Sequence, residues 1–229
     1  RAARVGLFNP APGRADPPLP ADFNLAPTKQ APVVLARPPR DDREGDPVVQ
    51  LRNLTWGLVP SWAKDRSVGS RMINARAETV VEKPSFRKPF ASRRCIVPAA
   101  GFYEWLPGET LGKGGKPVKR PYFIHHADAS TVAFAGIYDF WRDPAVPGDD
   151  AWLVTFSIIT TTATDDVGRI HDRMPMAVIP SLWTAWLDPA TGADQACTLM
   201  APPVDLEVYP VSTLVSSVAN NGPELLDRA

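Results

Sequence analysis

The chain has 229 residues, 44% of them hydrophobic, with 25 Lys+Arg balancing 25 Asp+Glu. That length and apolar content can bury a sizeable core and exclude wholesale disorder, while the zero net charge argues against a non-specific coater of nucleic acid. No apolar run approaches the roughly 18 residues of a membrane span, and the opening residues lack the apolar stretch of a signal peptide, so a cytoplasmic protein is expected. The two cysteines, Cys95 and Cys197, are too few for a disulfide framework and are not spaced as a metal knuckle. Charge is unevenly spread: residues 1–142 carry 22 Lys+Arg against 13 Asp+Glu, a balance of +9, and residues 143–229 carry 3 against 12, a balance of −9. Either the halves pair within one fold, or the first presents a basic face to a polyanion.

In chain order, residues 1–22 are proline-rich and irregular. Asn24-Leu25-Ala26-Pro27-Thr28 reads as a turn before a strand at 31–36, and the charged residues 37–46 as a solvated connector. A strand over 48–56 runs into Trp56-Gly57-Leu58-Val59-Pro60-Ser61-Trp62. Trp56 suits a core, whereas Trp62, beside Lys64 and Arg66, suits a partly exposed stacking platform for unpaired bases. Residues 71–78 read as a short strand turning into a helix. Asn74 and Arg76 fall on one side at period two, offering an amide and a phosphate-matching fork, or simply an Asn turn and an Arg–Glu pair.

A short helix is expected over 84–91 and an apolar strand over 93–99. In Gly101-Phe102-Tyr103-Glu104-Trp105 a carboxylate stands among aromatics, so Glu104 should have a raised pKa or a cationic partner. Residues 107–119 form a Gly/Lys-rich hairpin or loop, followed by strands at 121–126, 131–141 and 151–162. Thr164 is placed to cap one helical turn that delivers the chain to Arg169-Ile170-His171-Asp172-Arg173-Met174-Pro175. An imidazole can both give and take a proton near neutrality, and the two arginines around His171 favour an anionic ligand. Helices at 180–187 and 193–200, a strand at 206–211 and an Asn221-Gly222 turn complete the chain. Many short strands with few short helices define a single α+β domain over residues 1–229. Its sheet should be curled, barrel-like and mostly antiparallel, with short flanking helices.

Asn74, Glu104 and His171 all fall at strand ends in apolar surroundings, and an orienting amide with two acid/base groups is their combined chemistry. A metal site built on His125 or His126 with His171 and Asp172 is disfavoured because these histidines fall in strand and loop patterns; no cofactor or metal is expected. Cys95 lies in a buried-strand pattern typical of an inert thiol.

Asn24–Thr28, Trp56–Trp62, Ile73-Asn74-Ala75-Arg76-Ala77-Glu78, Gly101–Trp105 and Ile170–Pro175 occur in one order across residues 24–226, and together they resemble the SOS response-associated peptidase (SRAP) family. The resemblance implies a sensor of abasic sites in single-stranded DNA, acting as a monomer. In that family a cysteine exposed by removal of the initiator methionine forms a thiazolidine with the open-chain sugar. It further implies that Glu104 manages the α-amine proton and methionine removal, that His171 opens the sugar ring, and that Asn74 orients the amine or sugar. Arg76, Arg173 and Thr160 would then hold phosphates, with Pro27 and Trp62 stacking on flanking bases. The family opens Met-Cys-Gly-Arg, whereas the numbered chain opens Arg1-Ala2. The nucleophile is therefore expected ahead of Arg1; the alternative is a non-covalent single-stranded DNA-binding module. A third alternative, a peptidase acting on other proteins, has no support in these residues. Val215–Asn220 also departs from the family, which has asparagines and a basic residue there.

Overall fold

The computed structural model describes residues 15–39, 42, 44–112 and 114–229, so the irregular opening expected before residue 15 and parts of the 37–46 connector and the 107–119 hairpin lie outside the described residues. The first half comprises β1 (Gln30–Arg37), β2 (Val48–Trp56), β3 (Asn74–Arg76), α1 (Arg87–Ser92), β4 (Arg94–Ala99), β5 (Phe102–Leu111) and β6 (Pro117–His126). The second comprises β7 (Val132–Arg142), β8 (Trp152–Thr162), α2 (Asp165–Gly168), β9 (Arg173–Pro175), α3 (Trp183–Leu187), α4 (Ala193–Thr198) and β10 (Leu206–Pro210).

Among the described residues a seven-stranded sheet runs β2-β1-β4-β7-β8-β3, with β9 also on β8. It closes on itself because β2 pairs in parallel with β8 through Thr55↔Thr155 and Trp56↔Phe156. β8 is the pivot of the closure. Its outer half lies between β7 and β2, and beyond Ile158 it exchanges them for β3 and β9. The uninterrupted burial of Val132 to Asp139 in β7 reflects a strand covered on both faces. One face, with Val34, Ile96, Ala135, Ile137 and Ile159, packs under Phe90, Trp186 and Leu187 of the short helices. The other, with Val33, Leu35, Cys95, Val97, Phe134 and Phe156, fills the barrel interior. A second sheet, β10-β6-β5, docks on the barrel through Phe102, whose ring meets Phe134 edge-on at 5.9 Å. The α+β expectation of a curled, mostly antiparallel barrel with short helices is met.

Local departures have physical causes. Residues 77–82 form turns instead of the expected helix, because Ala77 N–H continues the sheet by donating to Thr160 O at 2.8 Å. The 107–119 segment, by contrast, takes the hairpin form of the two expected, since Pro107↔Lys119 and Leu111↔Pro117 extend the β5–β6 ladder outward. Thr164 sits at the N-cap of α2, but its hydroxyl turns to Met174 Sδ at 3.8 Å and bonds no backbone N–H. The 180–187 helix begins as a 3-10 turn, Pro180–Leu182. The Asn221-Gly222 turn leads into a 3-10 turn, Pro223–Leu226, with Gly222 at its N-cap. No helix among the described residues is long and apolar enough to cross a membrane.

Candidate active site

Glu104 owes its position to strand alternation. On β5, Tyr103 and Trp105 pack into a cluster with Phe123, Val211, Val215 and Leu225, which turns Phe102 and Glu104 to the opposite face. Gly101 makes this possible: a Cβ there would stand 2.3 Å from Ile124 O and 2.6 Å from the Phe123 ring, so only glycine lets the chain enter β5 so close to β6. Phe102 and Ile124 on that face pack against Val167 of α2 and Met174 of β9, with Leu206 and Val208 of β10. This apolar contact carries the His171 loop onto Glu104.

His171 Nδ1 lies 3.9 Å from Glu104 Oε1, an ion-pair contact too long for a hydrogen bond. Burial pushes the Glu104 carboxyl above the usual carboxylate range; His171 draws it back, Asp172 adds to the rise and Lys119 opposes it. The raised pKa anticipated for Glu104 is present, and the group facing it is an imidazole, cationic only when protonated. His171 Nδ1 lies 3.1 Å from Arg173 N and 3.2 Å from Arg173 O, so it can accept from that N–H or, when protonated, donate to that carbonyl. The Glu104 side chain is 21% exposed and that of His171 44%, so the pair sits at a surface reachable by a large ligand.

A second group forms where β3, β8 and β9 meet. Asn74 and Arg76 are exposed on either side of fully buried Ala75, and Arg76 lies opposite Thr160. Arg173 grips Glu78 with both terminal nitrogens, at 2.7 and 3.0 Å, and Nη2 also donates to Thr160 O at 2.6 Å. The Arg173 fork holds the Glu78 carboxyl down to about 2. Thr160 is 7% exposed with its hydroxyl 3.3 Å from Arg173 Nη2, so in this structure both residues expected to hold phosphates are engaged with the protein, while Arg76 is open.

Trp56 links the remaining expected residues. Its indole donates to Ile73 O at 2.9 Å, next to Asn74, and its backbone exchanges hydrogen bonds with Thr28 and Lys29, fixing the turn that carries half-buried Pro27. Its ring stacks on Phe156 at 6.4 Å in the core. Gly57 follows with φ +117, a Cβ there falling 2.7 Å from Gly69 O, and the chain then leads to Trp62, 63% exposed as expected. Glu104 and His171 are thus in direct contact, and Arg76, Thr160 and Arg173 form a connected group. Asn74 joins that group along β3, with Pro27 tied to it through Trp56.

Two contributors escaped the sequence reading. Asn24 is buried, with its amide nitrogen 3.0–3.1 Å from the carbonyls of Val215, Ser217 and Asn220, so it ties the Pro27 turn to the C-terminal segment. A polar residue leading an otherwise apolar turn was the available signal. Glu78 was assigned no role beyond a pair with a neighbouring arginine; its partner is Arg173, 95 residues away, and no local pattern could supply that. Cys95 is fully buried, and burial pushes its thiol far up.

The fold and site define a closed β-barrel protein with an acid–imidazole pair where a second sheet meets the barrel rim. The chain matches the family described as SOS response associated peptidase (SRAP) over residues 5–218, and it belongs to that family. It is 44% identical over 181 residues to the abasic site processing protein YoqW of Bacillus subtilis (strain 168), covering 78% of this chain and 76% of the relative. It is 34% identical over 229 residues to the abasic site processing protein HMCES of Gallus gallus, covering 89% of this chain and 65% of the relative. A crystal structure of a protein from Bacteroides thetaiotaomicron superimposes with a TM-score of 0.69 at 29% identity, covering 88% of this chain and 82% of that one. Membership links the chain to abasic-site processing at the level of the family.

Proposed function

We propose that this protein binds single-stranded DNA at an abasic site and crosslinks to it through an N-terminal cysteine placed ahead of Arg1. The observation that carries the reading is the half-buried Glu104 carboxyl facing the His171 imidazole at 3.9 Å, in a chain whose relatives are named for abasic-site processing. His171 protonates the ring oxygen of the closed sugar as the ring opens to the aldehyde. The cysteine α-amine, which titrates near 7.7–8.0 and is partly neutral at working pH, attacks the aldehyde carbon, and water leaves to give an imine. The thiol then adds across the C=N bond, sulfur to carbon and proton to nitrogen, closing a thiazolidine.

Glu104, with its raised pKa, takes and returns the α-amine proton, and it assists the hydrolysis that removes the initiator methionine. Asn74 orients the amine or sugar, while Pro27 and Trp62 stack on flanking bases. Arg76 takes a phosphate directly. Arg173 and Thr160 join it once Glu78 gives way, so Glu78 acts as a stand-in carboxylate for the incoming phosphate. The protein works as a single unit and as a monomer.

The test mixes a form beginning Met-Cys, and a form beginning at Arg1, with a single-stranded oligonucleotide carrying one abasic site, followed by a denaturing gel. A shifted band from the Met-Cys form alone is expected. A band from both forms would assign the chemistry to a lysine or internal cysteine, and no band from either would leave a non-covalent DNA-binding module.

A further inference from the structure

The outward half of the β5–β6 ribbon lies open to solvent. Of the described residues from Pro107 to Arg120, every one is exposed, although the ladder continues through Leu106↔Arg120, Pro107↔Lys119 and Leu111↔Pro117. An isolated two-stranded ribbon gains little from hydrophobic burial, so its side chains are free for contacts outside the chain. Lys116, Lys119 and Arg120 stand there against the single acid Glu109, and no carboxylate among the described residues pairs with any of the three.

The register decides which of these look toward the site. Directly opposed residues of an antiparallel pair share a face, and so do alternate residues of one strand. Glu104 opposes Tyr122 and Leu106 opposes Arg120, so Glu104, Tyr122 and Arg120 lie on one face of the ribbon. The Arg120 guanidinium lies 5.8 Å from the centre of the Tyr122 ring, which is half-buried and holds the cation near the surface. The ribbon therefore presents an aromatic ring beside the candidate acid and, one step out, a guanidinium with no carboxylate partner among the described residues.

We infer that the Tyr122–Arg120 face of the β5–β6 ribbon is a binding surface for the DNA strand flanking the lesion, with Arg120 on a backbone phosphate and Tyr122 against the adjoining sugar or base. It rests on the single-stranded DNA reading above and adds a contact strand that this reading did not use. Lys116 and Lys119 raise the local positive potential without fixing a geometry.

The test measures binding of the full-length protein to a single-stranded oligonucleotide over a range of salt, comparing wild type with Arg120→Gln and with Arg142→Gln, an exposed arginine on the barrel strand β7. Melting temperatures check that each variant is folded. Arg120→Gln should weaken binding about tenfold and flatten the slope of log K against log salt by about 0.7, the value of one single-strand phosphate contact. Arg142→Gln should leave both unchanged. Wild-type binding with an unchanged slope in Arg120→Gln overturns this inference alone, and equal losses in the two variants reduce it to bulk charge and overturn it too. A wild type that does not bind the oligonucleotide overturns the single-stranded DNA reading together with it.

Discussion

Two arginines treat charge in opposite ways. Arg94, 2% exposed at the start of β4, donates to five backbone carbonyls: Trp186 through Nε, Phe90 and Ala91 through Nη1, and Asp188 and Thr191 through Nη2. Its donors are spent on the ends of α1 and α3 and on the loop after α3, and its guanidinium lies 5.8 Å from the Trp186 ring. Arg173 has one carboxylate partner, Glu78, itself 46% exposed, and one backbone acceptor, Thr160 O, and its Nε is buried without a partner among the described residues. A cation satisfied by backbone holds architecture, because nothing can replace those carbonyls without unfolding. A cation whose one charged partner is an exposed carboxylate can exchange that partner for another anion, which is what a phosphate-binding site needs.

The sharpest way to break this contrast is Arg94→Met. It strands five carbonyls beneath the helices and is expected to lower unfolding free energy by about 4 kcal/mol, read by urea denaturation; a loss below about 1 kcal/mol would mean water takes over the role. Glu104→Gln should do the reverse, slowing crosslinking by about 100-fold without loss of stability. The sign follows from the raised carboxyl. The stability Glu104 contributes is fully present below its unfolded pKa and is lost as pH rises through the raised folded value. The glutamine variant escapes that loss, so its stability relative to wild type should climb as pH rises from 4 to 7, and a parallel pair of melting curves would contradict the assignment. Glu78→Gln is the smallest effect. Its carboxyl is held down to about 2, so its contribution is present above the unfolded carboxylate range and lost as pH falls through that value. Discounted for exposure, it is worth about 1 kcal/mol at neutral pH, measurable as a stability difference from wild type that shrinks on acidification.

The sequence disclosed the parts of this molecule that depend on local pattern. The strands expected at 131–141 and 151–162 lie within one residue of their observed bounds, because both are runs of β-forming residues. Glu104 stood out because a carboxylate between aromatics must be either penalised or paired. What stayed hidden depends on distant partners. The switch of β8 from β2 to β3 leaves no mark in β8 itself, and it is this switch that made residues 77–82 turns. Arg94 drew no role within its apolar strand, since three of its five acceptors, Trp186, Asp188 and Thr191, lie 92, 94 and 97 residues away. For the outer ribbon the Gly- and Lys-rich sequence left hairpin and loop both open, and the ladder from its inner half makes it a hairpin.

The central claim, that Glu104 and His171 work as an acid–base pair on the abasic sugar, is tested most directly by the pH dependence of the single-turnover crosslinking rate. The comparison uses the Met-Cys form of wild type, Glu104→Gln and His171→Gln. A bell-shaped wild-type profile is expected, whose acid limb in Glu104→Gln is reduced to that of the α-amine alone and whose alkaline limb changes in His171→Gln. Wild-type rates retained in both variants, with the same profile, would contradict it.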